Sequence, residues 1–466
     1  MANSDPQALR VLPFRGLRFA PDRVSDPSAV TSPPYDMIGP DEARRLADTE
    51  EHNVVRLILA APEEIAGGPG APARYHRAAT SLEAWIGDGA LRQDAEPAFY
   101  VYEQTGPGVR QRGLIGLVKL DDVESDASGS TDASGSAGVS GSAGPSGPWD
   151  ESGSAEPPPA RRAILPHEAV TDSVVADRLA QMRATDAHIE PILLTFEGDH
   201  TVSDLLDRVA DLAEPLTATT TADGTQHRLW ALTDPAATER IAADLLSHRA
   251  LIADGHHRHA AYRRLLAERG GGPAAYGLAL LVDSTRYPLS LHAIHRVLPH
   301  VPLEKAVAQA GKVFAVRETA DPHHALDTLP AGEHAFVLSD GTTHYLLTSP
   351  DPAVLAETIP ADRPQAWRAL DATVLHHVLV EAIWQLPDTP EEVRFDHDPV
   401  HAVAEAARIG GTAVLLRPTT EDVVRQLAAA GVLMPRKSTA FGPKPATGLV
   451  MRLLAEDGIG GGTATA

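Results

Sequence analysis

The chain has 466 residues, a formal net charge of −23 and no cysteine. Disulfides, thiolate metal sites and cysteine nucleophiles are therefore excluded, and the acidic balance argues against nucleic acid as a partner, because backbone binding needs a basic face. No apolar run is long enough to cross a bilayer and the opening MANSDPQALR lacks a signal-peptide core, so the cytoplasm is the expected location.

Ahead of residue 124 the chain reads as an N-terminal α/β part (1–123). It carries TSPPYDMIGPDEARRL, then PAFYVYEQT (97–105) and RGLIGLVKL (112–120), two β-rich runs expected to pair as a hairpin. Residues 124–160 are Ser, Gly, Ala and Pro with acidic punctuation, and cannot bury enough apolar surface to offset their ordering entropy. They are expected to be a disordered insertion interrupting one sheet system. A central part (161–300) resumes at RAILPHEAV. LPHEAVTDSVVADRLAQM (165–182) leads into a helix, and EPILLTF (190–196) reads as a strand.

The segment IADGHHRHAAYRRLL (252–266) then raises the central question. Leu251, Ile252 and Ala253 end a buried strand, and from His257 onward apolar residues recur at helical spacing. Asp254-Gly255 is thus a tight strand-to-helix turn, with free N–H groups at the helix start and Arg258 beside them. That is an anion site in outline. YGLALLVD (276–283) and LSLHAIHRVL (289–298) read as strands, the second able to return beside the motif strand and bring His295 and Arg296 to its cleft. A C-terminal α/β part (301–455) contains HAFVLSDGTTHYLLTS, a hairpin turning at Asp340-Gly341. Its loop MPRKSTAFGPKPATGLV (434–450) sets Lys437, Ser438, Thr439 and Lys444 among Pro and Gly, donors compatible with phosphate. Residues 456–466 form a frayed tail. The class is mixed α and β.

Each cluster also has a plain structural reading. Asp254 could cap a helix, Glu168 could complement a helix start, and Arg296 could be a salt-bridge partner. The Walker, dinucleotide-binding and H-E-x-x-H signatures are absent. His256 and His257 would lie about a hundred degrees apart on a helix, a poor geometry for chelating one metal.

The order SPPYD (32–36), LPHE (165–168), ADGHHR (253–258), IHR (294–296) and MPRKSTAFGPK…TGLV resembles the domain-of-unknown-function family 1015. From Pro166-His167-Glu168 through RLAQM and PILL to Asp254–Arg258, the chain also resembles the ParB/sulfiredoxin superfamily, in which a glycine-led motif at a helix start binds nucleotide phosphates. The resemblance implies an α+β fold with mixed sheets, a ParB/sulfiredoxin-like core and additional N- and C-terminal α/β parts. Sulfiredoxins place a catalytic cysteine where this chain has His256, so sulfinic-acid reduction is ruled out. The free-serine kinases of the superfamily share a D-G-H-H-R type motif and an upstream glutamate that deprotonates serine. Carried over, that base is Glu168. Residues 197–249 depart from simpler members, which have a short loop there.

The resemblance and the residues together lead to an expected nucleotide-dependent phosphotransferase acting on a small hydroxyl metabolite, with free L-serine the leading acceptor and ATP or ADP the donor. Gly255 to Arg258 would hold the phosphates, His256 or His257 would hydrogen-bond the transferring group or the substrate carboxylate, and Arg258 would clamp. Asp254 would bind Mg²⁺. Arg296, Lys437, Ser438, Thr439 and Lys444 would complete the nucleotide site. A nucleotide-binding regulatory module without chemistry, or a nucleotide or phosphoester hydrolase, are the alternatives.

Overall fold

Apolar strands that leave no polar face need cover on both sides, and this requirement organises the molecule. The computed structural model describes residues 8–59, 72–106, 108–120, 162–322, 324–330 and 332–455. The Ser/Gly insertion and the tail lie outside the described residues.

Nine strands form the main sheet: β1 (Val11–Leu12), β2 (Phe99–Gly106), β3 (Val109–Lys119), β4 (Ile164–Leu165), β5 (Ile192–Phe196), β6 (Thr217–Thr220), β7 (Gln226–Leu232), β8 (Ala250–Asp254) and β9 (Tyr276–Asp283). Their order is β4-β8-β5-β9-β3-β2-β7-β6, with β1 pairing the far end of β3. Strands from both sides of the insertion therefore share one sheet, and β2 and β3 form the expected antiparallel hairpin. β8 runs parallel to β4 and antiparallel to β5.

Four helices cover one face: α1 (Asp172–Thr185), α2 (Thr201–Leu212), α3 (Pro235–Leu245) and α4 (His256–Arg269). Val175 and Leu179 of α1, Leu206 of α2, Ile241 of α3 and Tyr262 and Leu265 of α4 pack on Val101, Leu114, Ile192, Leu194, Ile252 and Leu281. The alternate residues Tyr100, Leu117, Leu193, Leu251 and Leu280 face the other way and merge with Leu303, Phe336, Val378, Leu379 and Met434 of the C-terminal part. Each fully buried Leu or Val contributes roughly 1.5–3 kcal/mol, so this two-sided burial is the main source of stability.

The C-terminal part and the last strand of the central part, β10 (His295–Leu298), together build a second, antiparallel sheet with β11 (Ala315–Thr319), β12 (Phe336–Ser339), β13 (His344–Thr348), β14 (Arg394–Asp396) and β15 (Thr412–Leu416), ordered β11-β13-β12-β15-β10-β14. β12 and β13 form the expected hairpin. Gly341 takes φ +94° in its turn, and Asp340 Oδ1 accepts the N–H groups of Thr342 and Thr343, both at 2.8 Å.

LSLHAIHRVL is not one strand. Ser290–His292 pairs with Ala440–Gly442, whereas β10 pairs with β14 and β15. Ala293 and Ile294, both buried, carry the chain from one partner to the next. His295 and Arg296 thus lie in the second sheet and not beside the motif strand. A strand-like pattern reports extended, partly buried chain, and it cannot report a change of pairing partner. Among the described residues, no helix is long and apolar enough to cross a membrane.

Candidate functional site

The site begins where β8 becomes α4. The pairing of β8 with β5 slips between Ile252 and Asp254, a bulge that re-aims the strand's last residue. Gly255 follows with φ +96°, and a Cβ there would meet Ile192 Cγ2 at 2.9 Å. Only glycine fits this left-handed, crowded corner. Gly255, the N-cap of α4, has no side chain with which to cap the helix, whereas Asp234 caps α3 through the Ala237 N–H. The first-turn amides of α4 are thus left uncapped by side chains at its electropositive end.

Asp254 is held by two cations. Arg258 bonds its Oδ2, and Lys444 Nζ lies 2.7 Å from its Oδ1. Burial alone would raise this carboxyl, but Lys444 and Arg258 outweigh it and keep Asp254 below the ordinary carboxylate range. The same ammonium contacts Asp36. Burial opposes the Lys444 charge, while Asp254 and Asp36 more than restore it. The other end of Arg258 donates to Pro191 O at 2.6 Å, and the residue is only 3% exposed. The Arg258 side chain thus serves the underside of the turn rather than an open cleft.

The residues do not fit a resident Mg²⁺ at Asp254. Both of its oxygens are engaged by cations, and Lys444 sits between the two carboxylates that a divalent ion would need.

The paired histidines grip a loop. His256 Nε2 accepts the His167 N–H at 3.3 Å, and His257 Nε2 accepts the Thr171 N–H at 3.1 Å. A ring nitrogen that accepts carries no proton, so both neutral rings are protonated at Nδ1. Burial favours that neutral form, pushing His256 down to about 3 and His257 below its ordinary value. The two rings face separate amides and do not converge on one point.

The held loop in turn anchors the C-terminal segment. His167 O accepts the Met434 N–H at 2.8 Å, and His167 Nε2 lies 2.9 Å from Thr439 Oγ1. Glu168 Oε1 accepts the Lys437 N–H at 3.2 Å. Arg296 donates to Lys437 O at 3.0 Å and stacks on Phe395 at 4.5 Å. Burial pushes the Arg296 guanidinium down to about 10, which leaves it charged at neutral pH. Ser438 bonds its own loop at Pro435 O. Glu168, the Asp254–Arg258 turn, Arg296 and the Lys437–Lys444 loop are accordingly one connected assembly. Within it Arg296 spends both terminal nitrogens and Ser438 its hydroxyl on protein partners. Arg258 spends both terminal nitrogens so, while its buried Nε, beside Gly255, has no hydrogen-bond partner among the described residues.

Sequence reasoning assigned no role to Tyr35, Asp36 or Glu190. Glu190 Oε1 accepts the Tyr35 N–H at 3.1 Å and the Thr447 hydroxyl at 3.3 Å. The Tyr35 ring lies under Arg178 at 4.3 Å and Arg258 at 5.9 Å. SPPYD contained the available signal, a Pro-Pro segment presenting an aromatic and an acid. For Glu190 there was none, since a glutamate before a strand is ordinary.

The model of a family described as a protein of unknown function, DUF1015, matches residues 11–127 and 154–373. The chain belongs to the DUF1015 family. No curated protein matches it. Among solved structures, a free serine kinase in complex with AMP is similar at 15% identity, covering 60% of this chain and 84% of that one, with a TM-score of 0.32. A conserved hypothetical protein from Pyrococcus furiosus aligns at 15% identity over 63% of this chain and 93% of that one, TM-score 0.33. SbnI from Staphylococcus aureus, truncated at its C-terminus, aligns at 13% identity over 64% and 88%, TM-score 0.33.

In this DUF1015 chain a cavity of about 1040 Å³ adjoins the assembly, lined among others by Ser32, Asp36, Gln104, His227, His397 and Lys444. Its size is at the upper end of the range for small-molecule pockets. Lys444 and Asp36 belong both to the cavity wall and to the Asp254 cluster, so whatever fills the cavity meets that charge cluster directly.

Proposed function

We propose that the protein is a nucleotide-dependent phosphotransferase acting on a small hydroxyl metabolite, with free L-serine as the first acceptor to test and ATP or ADP as donor. One observation carries the reading: the Glu168 carboxylate is tied to the Lys437–Lys444 loop, and that loop is tied to the uncapped start of α4 through Asp254. A base, two lysines and a helix N-terminus in one assembly are the parts that phosphoryl transfer needs, because the reaction demands mainly positioning and charge neutralisation.

In this reading the amides of His256, His257 and Arg258 and the ammonium groups of Lys437 and Lys444 neutralise the donor phosphates. Glu168 takes the acceptor's hydroxyl proton as that oxygen bonds to the terminal phosphorus. The bridging P–O bond breaks, and its electron pair leaves with the nucleotide. Arg258 is a positioning residue that orients Asp254 from beneath. His257 holds the loop carrying Glu168. The cavity beside Lys444 is large enough for a nucleotide, which would extend from it past Lys444 toward the α4 turn and Glu168, neither of which lines the cavity.

The test is incubation with ATP or ADP and pooled amino acids, followed by mass spectrometry for phosphorylated products. Product should form with the native chain. Glu168→Gln should lower turnover by about 10²–10⁴-fold while leaving nucleotide affinity unchanged. Normal turnover in that variant would remove Glu168 as the base, and nucleotide binding without product from any acceptor would replace the kinase reading by a regulatory one.

A further inference from the structure

The sequence LHHVLVEAI (Leu375–Ile383) contains a second adjacent histidine pair, and it is wound as a π-helix. In an α-helix neighbouring residues diverge by about a hundred degrees and would not share a ligand. The wider π turn, closed by i to i+5 bonds, instead sets Glu381 opposite both His376 and His377, five and four residues later. His376 Nε2 lies 3.1 Å from Glu381 Oε1, and His377 Nδ1 lies 2.8 Å from Glu381 Oε2. One ligand atom from each of the three residues lies within 4.8 Å of the other two.

Tetrahedral bonds of 2.0–2.1 Å to nitrogen and oxygen space neighbouring ligand atoms roughly 3.3–3.4 Å apart. The two distances seen here run to different Glu381 oxygens and are slightly shorter, and one atom from each residue lies within 4.8 Å of the others, so rotamer adjustment of the three side chains would bring them around one ion. The side chains of His376 and His377 keep 16% and 21% of their exposure and Glu381 39%, so the cluster is reachable from solvent. Its surroundings restrain the rings: Trp367 packs 5.6 Å from His377, and the two imidazoles meet edge-on at 5.0 Å. Widened π turns of this kind recur at functional sites.

We propose that His376 Nε2, His377 Nδ1 and Glu381 bind a divalent transition-metal ion of the zinc class, with at least one coordination position left to water. Two imidazoles and one carboxylate suit zinc and its neighbours; calcium and magnesium take oxygen ligands, and copper(I) and iron–sulfur centres favour softer sulfur ligands. No residue of this cluster belongs to the phosphotransfer assembly, so the proposal stands or falls independently of it.

The full chain, stripped with chelator, is titrated with Zn²⁺ by calorimetry and with Co²⁺ by visible absorption. One equivalent should bind saturably and Co²⁺ should give d–d bands of low-coordinate geometry. His376→Ala, His377→Ala and His377→Asn should each weaken Zn²⁺ binding at least about tenfold and abolish the bands. The asparagine variant keeps a hydrogen-bond partner for Glu381 and so protects the fold. The metal-free variants should melt as the metal-free native chain does. His52→Ala, in a second three-residue cluster among the described residues (Glu50, Glu51, His52), should leave binding unchanged. No saturable binding, binding that survives His377→Asn, or loss through His52→Ala would each overturn the proposal.

Discussion

Asp254 shows how single residues decide this site. Its carboxylate lies between Arg258 beneath the turn and Lys444 above it, and both cations are themselves held by other groups. Truncating one member of a buried charged set leaves its partner short of counter-charge: without Arg258, buried Asp254 keeps Lys444 alone, which it shares with Asp36. Arg258→Ala is therefore expected to cost about 3–5 kcal/mol of stability, read from urea denaturation. Arg258→Lys should recover little of it, because one ammonium cannot reach both Asp254 and Pro191 O as the planar fork does. An Arg258→Ala chain of native stability would show the guanidinium to be a free clamp. Gly255→Ala should cost about 1–3 kcal/mol, since the substitution adds a left-handed penalty to the contact with Ile192.

At the scale of elements, the start of α4 acts as a clasp on the loop from His167 to Thr171. His257 accepts the N–H of Thr171, the N-cap of α1, so one helix start orders another. His257→Ala should release this amide at a cost of about 0.5–1.5 kcal/mol. Amide exchange should accelerate across the first turn of α1 while α4 beyond its first turn stays protected. Uniform acceleration through both helices would mean that the histidine supports the packing of α4 and not the loop. The same clasp positions Glu168, which ties the chemistry proposed for it to the order of this loop.

For the whole molecule, the largest consequence is acid sensitivity. Burial pushes His167, His256 and His259 down to about 3, against an ordinary 6.5. Between those values the unfolded chain binds protons that the folded chain refuses, so stability falls as pH drops below 6.5. Each such histidine contributes a slope of up to about 1.4 kcal/mol per pH unit. Asp254 works in a lower window: its depressed carboxyl adds stability above the ordinary aspartate value, lost only as pH falls below it. Denaturation midpoints should thus be level from pH 8 to 7 and decline steeply from 6 to 5. A flat profile to pH 5 would show that these histidines take up protons within the fold. Replacing residues 124–160 by a Gly/Ser linker should leave the midpoint unchanged at neutral pH, because the segment has no apolar pattern to add to a core.

The amino-acid sequence by itself determined what depends on neighbours along the chain. Apolar runs marked the β2–β3 hairpin, β5 and β9; Asp254-Gly255 marked a strand-to-helix turn whose backbone only glycine adopts; and Asp340-Gly341 marked the second hairpin. The absence of cysteine removed a whole branch of chemistry. Only the tertiary structure decided which polar atoms are spent and which are open. Arg258 and Arg296 read alike as anion clamps, yet each is buried against protein carbonyls, because a guanidinium's partners come from distant segments that local spacing does not encode. Likewise Asp36 and Lys444 lie 408 positions apart and share one contact. Hydrophobic periodicity fixes which side of an element is buried. Pairing of charges depends on how the elements are then packed, and that is where this site was made.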